Sequence, residues 1–470
     1  MKAFLRRLAG FSVGSFVTAV ISVVQVPILT FFLTQGDYGI FSFYRTMLLQ
    51  VPGFLCLGLD QAFIREYYTV DDKRQVLQHA MLFPLLASCL FAVGCFLFAP
   101  QISQWIFGNP DERLFVWIGG IWCVAGVFER FFFLLLRMRE EALLYSKVAI
   151  EIKVVSFVIT LGLVFLGMTD YAGPVIGLLA GNLLIDALLV WRFRHMLDMR
   201  SFVRDSALMH RMLRYAWPLL LLVALAAGLN SVDSIFLNHF ATKADLGVYN
   251  VGRNIVNVLS LITTTFANFW IATAFRWHDE DRSMAHFSYV SDALLAVLTL
   301  IYFGILIASP LLDLILGPGY EQAKWILGLL SLRLILSALS ETTYLGMMFQ
   351  RRTEYNLLVS LLTFLPSLLI NWLLTSRIGF RGAALAVALS YFVFYLARTG
   401  FSRKCGFIIP QYKQILTSLL MIAVGMWMAM QAPWTGLVVA GGLLLCLFIQ
   451  RDTLTQTLDI RRHPEKWKFD

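Results

Sequence analysis

The fold of this chain is indicated by a stretch that occurs twice. The first copy reads Thr34-Gln-Gly-Asp37-Tyr-Gly39-Ile-Phe-Ser-Phe-Tyr-Arg45, and the second, 208 residues later, reads Thr242-Lys-Ala-Asp245-Leu-Gly247-Val-Tyr-Asn-Val-Gly-Arg253. Thr, Asp, Gly and Arg coincide without a gap. Because Thr and Asp can cap the free N–H groups at a helix start, each copy is predicted to begin a helix.

A shorter match supports the same internal repeat. Tyr171-Ala-Gly173 corresponds to Phe380-Arg-Gly382 at an offset of 209, and one apolar run follows each. Each half is predicted to hold six membrane spans. Since six is even, both halves keep the same orientation, which makes them parallel repeats of the kind found in several transporters.

The composition indicates an integral membrane protein. Of the 470 residues, 59% are hydrophobic and only 14% are charged, whereas a soluble protein has about 25% charged residues. A helix needs about 20 apolar residues to cross a bilayer. Fourteen such spans are predicted, with twelve spans and a re-entrant hairpin as the alternative. The predicted spans are 11–33, 38–62, 79–99, 114–136, 145–167, 172–193, 214–238, 246–274, 288–309, 323–349, 355–376, 382–399, 414–431 and 433–450.

The distribution of basic residues predicts the orientation. With the N-terminus in the cytoplasm, the inside segments hold 28 Lys and Arg residues and the outside loops hold 5. This bias places both termini in the cytoplasm and accounts for the net charge of +9 without nucleic acid. The short outside loops leave no room for a large external domain. No Cys or His spacing typical of a metal site or a disulfide framework occurs.

These observations divide the chain into five predicted parts. An N-lobe of six spans is followed by a cytoplasmic amphipathic linker, a C-lobe of six spans, two extra spans and a cytoplasmic tail. Their predicted bounds are 1–193, 194–213, 214–402, 403–450 and 451–470.

Three of the arginines at membrane depth are the candidate substrate-binding residues: Arg45, Arg253 and Arg333. A centrally placed Arg costs roughly 2.5–3.5 kcal/mol on insertion scales, so each needs a reason to be there. Arg45 and Arg253 are equivalent in the repeat and are predicted to face each other across a central cavity. Two guanidinium groups would suit a phosphate or an acidic sugar. In the alternative interpretation, each Arg reaches the surface or pairs with an acid.

Three aspartates at membrane depth are candidates for coupling to H⁺ or Na⁺: Asp233, Asp60 and Asp186. Each could instead balance an arginine. Glu129 and Arg130 are adjacent and are expected to contact different partners, because neighbouring positions on a helix do not face each other. No phosphate-binding loop is present, so ATP hydrolysis is not predicted. No other enzyme motif is recognised, so neither an enzyme activity nor a cofactor is predicted.

At this point the chain resembles the polysaccharide (O-antigen) flippase branch of the MOP superfamily, which has the all-α fold of the MATE transporters. The resemblance rests on the order and spacing of Leu213-Arg-Tyr-Ala-Trp-Pro218-Leu, Asp233-Ser-Ile-Phe-Leu, Asp245-Leu-Gly-Val-Tyr249, Gly173 and Gly382. It implies two six-helix lobes around a central cavity.

The resemblance also implies a function. Such a protein is expected to move undecaprenyl-diphosphate-linked oligosaccharides, such as units of O-antigen, capsule or exopolysaccharide, across the bacterial inner membrane by alternating access. The expected partners are the lipid-linked oligosaccharide, membrane lipids, and a polysaccharide polymerase with its export machinery.

Three other functions agree less well with the sequence. A multidrug antiporter of the same fold is disfavoured, because the positive charge of three central arginines would repel a cationic drug. A membrane glycosyltransferase or polymerase is disfavoured by the short outside loops. A lipid scaffold without transport would leave the costly intramembrane charges without a purpose.

Overall fold

The computed structural model describes residues 2–198, 205–352 and 354–462. Within these ranges the regular structure is entirely helical. The helices are α1 (Lys2–Phe32), α2 (Gln35–Leu55), α3 (Leu59–Glu66), α4 (Lys73–Leu97), α5 (Ala99–Phe107), α6 (Arg113–Met138), α7 (Ala142–Phe165), α8 (Ala172–Arg192), α9 (Arg194–Leu197), α10 (Ser206–Phe240), α11 (Lys243–Val256), α12 (Leu259–Asp279), α13 (Met284–Ala308), α14 (Leu312–Ile315), α15 (Ala323–Thr343), α16 (Leu345–Phe349), α17 (Glu354–Lys404), α18 (Tyr412–Ala429), α19 (Thr435–Ile449) and α20 (Arg451–Arg462).

The helices match the predicted spans and make this a multi-pass membrane protein. Within the described ranges, nine helices are long and apolar enough to cross a membrane, or up to twelve when three bent pairs count as one span each. Two predicted spans fall outside those twelve. One is α1, whose described apolar part is Phe16–Phe32, and the other is the second of two helices within α17.

The long element α17 is two helices joined by a sharp turn. Ile378 and Gly379 have non-helical backbone angles, and Gly379 has φ +56°, which favours glycine. An ideal Cβ on Gly382 would lie 2.2 Å from the carbonyl oxygen of Leu374. Residues eight apart in one continuous helix would be separated by about 12 Å, so the chain doubles back here.

The repeat predicted from the sequence is visible in local structure. Gly173, the repeat counterpart of Gly382, also packs against a carbonyl oxygen of the preceding segment. Thr34 accepts a hydrogen bond from the backbone N–H of Asp37, and Thr242 accepts the equivalent bond from Asp245. The predicted caps are therefore confirmed in both copies.

The two copies differ beyond the cap. The helix that follows Thr34 runs to Leu55 before a bend of 50°. The helix that follows Thr242 ends at Val256, before a bend of 41°. The two copies therefore begin their helices at equivalent residues, but the bends lie at different positions.

By internal contacts the chain divides into two compact units, Met1–Ser234 and Ile235–Asp470. The division falls inside α10, whereas the predicted C-lobe begins at residue 214. Of the predicted amphipathic linker, residues 199–204 lie outside the described part of the chain, and the remainder belongs mostly to α9 and to the start of α10.

Small residues hold α7 and α8 together in the first unit. An ideal Cβ on Gly177 would lie 2.1 Å from the Thr160 hydroxyl oxygen, and one on Gly181 would lie 2.4 Å from the Cα of Ser156. Glycines four residues apart face the same side of a helix and let a second backbone approach closely. This contact fixes Asn182, whose amide donates to the Ser156 hydroxyl at 3.1 Å.

The second unit is organised around the largely buried helix α15, which packs against α11, α12, α13, α17 and α18. The last apolar helices, α18 and α19, also pack on α13. Polar side chains join them there. Lys413 lies 3.4 Å from Asp292, and the amide of Gln414 donates to the same carboxylate at 2.6 Å.

Candidate functional site

The first unit encloses a polar cavity of about 220 Å³. Arg45 from α2 and Lys153 from α7 both line it. Ser156, Thr160 and Asn182 contribute hydroxyl and amide groups to the wall. The cavity therefore combines two cations with neutral hydrogen-bonding groups.

Neither cation has an acidic partner in the part of the chain that the structure describes. Lys153 donates a hydrogen bond to the amide oxygen of Gln25 at 3.3 Å, and Arg45 forms no ion pair there. An uncompensated positive charge is costly inside a protein. Two of them in one cavity make it suited to an anion, because Arg and Lys both bind phosphate oxygens.

Acidic residues lie on α6 and α8, which pack against each other. Glu129 from α6 lines the cavity, and Asp186 belongs to α8. Asp186 is 1% exposed. No N–H or O–H donor of the described residues reaches either of its oxygens.

A larger cavity of about 680 Å³ shares Glu129 and Asn182 with the first one. Asp60 and Arg130 line it and form an ion pair with an N–O distance of 2.6 Å. Arg130 therefore contacts Asp60. That its neighbour Glu129 has a different partner stays a prediction.

The second unit brings Arg253 and Arg333 to one narrow crevice, together with Tyr249 and Asn257. The guanidinium of Arg333 lies over the ring of Tyr391, 5.7 Å from its centre. Asp233 is buried on α10, at the end of the first unit. That Arg45 and Arg253 face a shared space stays a prediction.

Lys153 is the site residue that the sequence reasoning missed. Its position in the sequence indicates a site residue, since it is a basic residue within the predicted span 145–167. It has no counterpart in the repeated stretch, and reasoning from the repeat therefore led to the arginines alone. Only the packing of α7 against α8 and α1 shows that Lys153 shares a cavity with Arg45.

The fold defines a class of protein that is known from solved structures. The chain is similar to the lipid II flippase MurJ in an inward closed conformation, with a TM-score of 0.71, 14% identity, and coverage of 94% of this chain and 99% of that one. It is also similar to an inward-facing MATE multidrug resistance transporter of the MOP superfamily, with a TM-score of 0.54, 13% identity, and coverage of 84% and 94%. This is the fold of the MOP superfamily, as predicted.

A comparison of the sequence with family models shows which family of that class the chain belongs to. The model of the polysaccharide biosynthesis protein family matches residues 5–275, more than half of the chain. This protein belongs to that family, and the resemblance to the polysaccharide flippase branch is confirmed. No protein of curated function matches the sequence.

Proposed function

We propose that this protein is a flippase that carries an undecaprenyl-diphosphate-linked oligosaccharide across the bacterial inner membrane by alternating access. The observation that supports this proposal most directly is the cavity that holds Arg45 and Lys153 without an acidic partner among the described residues. A diphosphate carries the charge and the oxygen acceptors that two such cations bind. The family, which acts in polysaccharide biosynthesis, supplies the sugar part of the cargo.

Arg253 and Arg333 are the other candidate substrate-binding residues, and they share a crevice in the second unit. In the proposed cycle, a polymerase with its export machinery takes over the flipped oligosaccharide. Coupling to H⁺ or Na⁺ is part of the proposal, with Asp186, Asp233 and Asp60 as the candidate residues.

The proposed orientation has both termini in the cytoplasm, which follows from the excess of Lys and Arg in the predicted inside segments. A multidrug antiporter is the second candidate, because a transporter of that kind shares the fold. The two basic residues of the enclosed cavity disfavour a cationic cargo.

The proposal is tested by the state of the lipid-linked sugars in cells. A strain that lacks this protein is complemented with wild type, Arg45→Ala or Lys153→Met. Lys147→Met is the matched control, since Lys147 lies on the same helix as Lys153 but is 69% exposed and pairs with Glu151. We expect lipid-linked oligosaccharide to accumulate on the inner leaflet without the protein, and only the control variant to clear it normally.

The size of the effect follows from the interactions that are lost. A hydrogen bond to a charged group contributes roughly 1.5–3 kcal/mol, so each site variant should slow clearance about tenfold or more. If the strain that lacks the protein has an unchanged lipid pool and is more sensitive to cationic drugs, the flippase proposal is wrong and the antiporter function is favoured. Each variant must reach the membrane at the wild-type level, as measured by immunoblot.

A further inference from the structure

The larger cavity of the first unit, of about 680 Å³, is lined by two residues that each carry a buried polar atom without a partner. Oδ1 of Asp60 and the indole Nε1–H of Trp122 form no hydrogen bond with any described residue. The two residues are 1% and 3% exposed. Buried polar groups are normally hydrogen-bonded, so these two indicate a partner that is not part of the chain. A hydroxyl group would suit either atom, because it both donates and accepts.

The formal charges along this cavity cancel. Among the described residues, its lining holds two acidic side chains, Asp60 and Glu129, and two basic ones, Arg130 and Arg137. Arg130 is committed to Asp60 by two hydrogen bonds. The smaller cavity differs, because its two basic residues exceed its single acidic one. The smaller cavity is therefore suited to an anion and the larger one to an uncharged polar group.

Aromatic side chains supply much of the apolar wall of the larger cavity. Trp122, Phe133 and Tyr145 line it, and the rings of Phe133 and Tyr145 meet edge to face with their centres 4.9 Å apart. A sugar ring matches such a wall, since its C–H faces pack on aromatic rings while its hydroxyl groups bond polar side chains. Small-molecule sites typically have volumes of roughly 300–1,000 Å³ and combine apolar walls with a few polar groups. The cavity has room for a sugar residue.

The two cavities of the first unit adjoin each other. The lining residues that they share are Leu49, Glu129, Ala149 and Asn182. In an oligosaccharide linked to a lipid diphosphate, the first sugar is bonded directly to the second phosphate. A diphosphate held by Arg45 and Lys153 in the smaller cavity would therefore present that sugar to the larger one.

We propose that the larger cavity binds an uncharged sugar residue, the one bonded to the diphosphate of the cargo, and that Asp60 and Trp122 bind its hydroxyl groups. This inference rests on the proposed function, because it assigns one part of the proposed cargo to a second site. It narrows the substrate class, since it names a neutral sugar, and not a uronic acid, as the residue next to the diphosphate.

Sugar binding is tested on the purified full-length protein by saturation-transfer difference NMR, which detects weak ligands. The probes are methyl α-glucopyranoside, which is neutral, and the methyl glycoside of glucuronic acid, which is acidic. We expect wild type to bind the neutral probe more tightly. Trp122→Phe keeps an aromatic ring but lacks the N–H group, so its affinity for the neutral probe should be about threefold to tenfold lower.

Trp117→Phe is the matched control. Trp117 lies on the same helix as Trp122, and its Nε1 is likewise buried without a hydrogen-bond partner in the described part of the chain. It is not one of the described residues that line the cavity. We expect Trp117→Phe to bind the neutral probe as wild type does. Equal affinity in Trp122→Phe and wild type would contradict the role of Trp122.

Asp60→Asn tests the charge balance of the cavity. It leaves Arg130 without its carboxylate and gives the lining a net positive charge. One unit charge at about 10 Å and an effective dielectric constant near 20 changes the affinity for a singly charged anion about tenfold or more. The acidic probe should therefore gain about tenfold over the neutral one, relative to wild type. An unchanged preference in Asp60→Asn, a wild-type preference for the acidic probe, or no transfer to either probe would overturn the sugar site.

The sugar site and the proposed function can fail separately. If cells that lack the protein accumulate lipid-linked oligosaccharide but the wild-type protein binds neither glycoside, the flippase function stands and the sugar site is wrong. If the neutral glycoside binds as expected but the lipid pool of those cells is unchanged, the sugar site stands and the proposed function is wrong.

Discussion

Arg130 donates two hydrogen bonds to a single oxygen of Asp60, at N–O distances of 3.0 and 2.6 Å. The two partners differ in burial, since the Asp60 side chain is 1% exposed and that of Arg130 is 40% exposed. The pair joins α6 to the short helix α3, just beyond the 50° bend. Because Asp60 is the more buried partner, removing Arg130 should lower the stability more than removing the charge of Asp60.

We expect Arg130→Met to destabilise the protein more than Asp60→Asn. Without Arg130, the Asp60 carboxylate keeps only the amide of Gln61, at 3.2 Å, among the described residues. A buried charge that loses its partner costs roughly 3 kcal/mol. Arg130 without Asp60 can turn to the adjoining cavity, so that change should cost about 1 kcal/mol. Thermal unfolding in detergent, followed by tryptophan fluorescence, measures both. A larger loss for Asp60→Asn would contradict this account.

The contact between α7 and α8 should not tolerate a larger side chain. In Gly181→Val, the new atoms would overlap the backbone of Ser156, where even a Cβ would lie at 2.4 Å. Overpacking of this kind costs typically 1–3 kcal/mol. Gly162→Ala on α7 is the control, since nothing lies within 4 Å of its added Cβ. Both variants are compared by thermal unfolding, and a similar melting temperature for the two would argue against close packing as the role of Gly181.

The cap at Thr242 should stabilise the start of α11. Asp245 returns the bond by accepting from the backbone N–H of Thr242 at 3.2 Å, which completes a capping box. Thr242→Ala is expected to lower the free energy of unfolding by about 1 kcal/mol. Thr242→Ser keeps the hydroxyl and should retain most of the stability. Hydrogen exchange at the amide of Asp245 reports the cap directly, and slow exchange in Thr242→Ala would show that the hydroxyl is dispensable.

Lys413 should anchor the last helices to α13. It is 9% exposed and donates to Asp292 at 3.4 Å and to the Thr453 hydroxyl at 3.1 Å. Lys413→Met removes the cation beside the Asp292 carboxylate, which is 16% exposed and keeps its bond from Gln414. We expect a loss of roughly 2–3 kcal/mol and faster proteolysis after residue 404.

The second half of this test is a double variant. Adding Asp292→Asn to Lys413→Met removes the charge that lost its partner. The free energy of unfolding of the double variant should therefore exceed that of Lys413→Met by about 1 kcal/mol. A double variant that is less stable than Lys413→Met alone would mean that the two residues contribute independently.

Much of the architecture could be predicted from the sequence because it depends on local chemistry. The apolar runs, the basic loops and the Thr and Asp caps act over a few residues. The start of α2 at Gln35 and that of α11 at Lys243 follow from them. The bends after Leu55 and Val256 could not be predicted, since they lie in apolar stretches and depend on how neighbouring helices pack.

The site was harder to predict for the same reason. A charge at membrane depth shows that a partner or a cavity must exist, but its position along the chain does not show which helix supplies it. Asp60 is predicted as a coupling candidate, yet it forms an ion pair with Arg130. This pairing spans 70 residues, and only the arrangement of α3 and α6 determines it.

The tight turn at Gly379 has a practical consequence for mapping topology. Gly382 packs closely against the Leu374 carbonyl, so the turn has no room for inserted residues. An epitope tag or a glycosylation acceptor inserted after Gly379 would force the two helix ends apart. The connection between α5 and α6 is predicted to lie on the same side of the membrane, and its residues 108–111 are exposed. Tags that report which side of the membrane a loop faces should therefore be inserted in that longer loop. The absence of a signal from a tag at Gly379 would not show which way the protein is oriented.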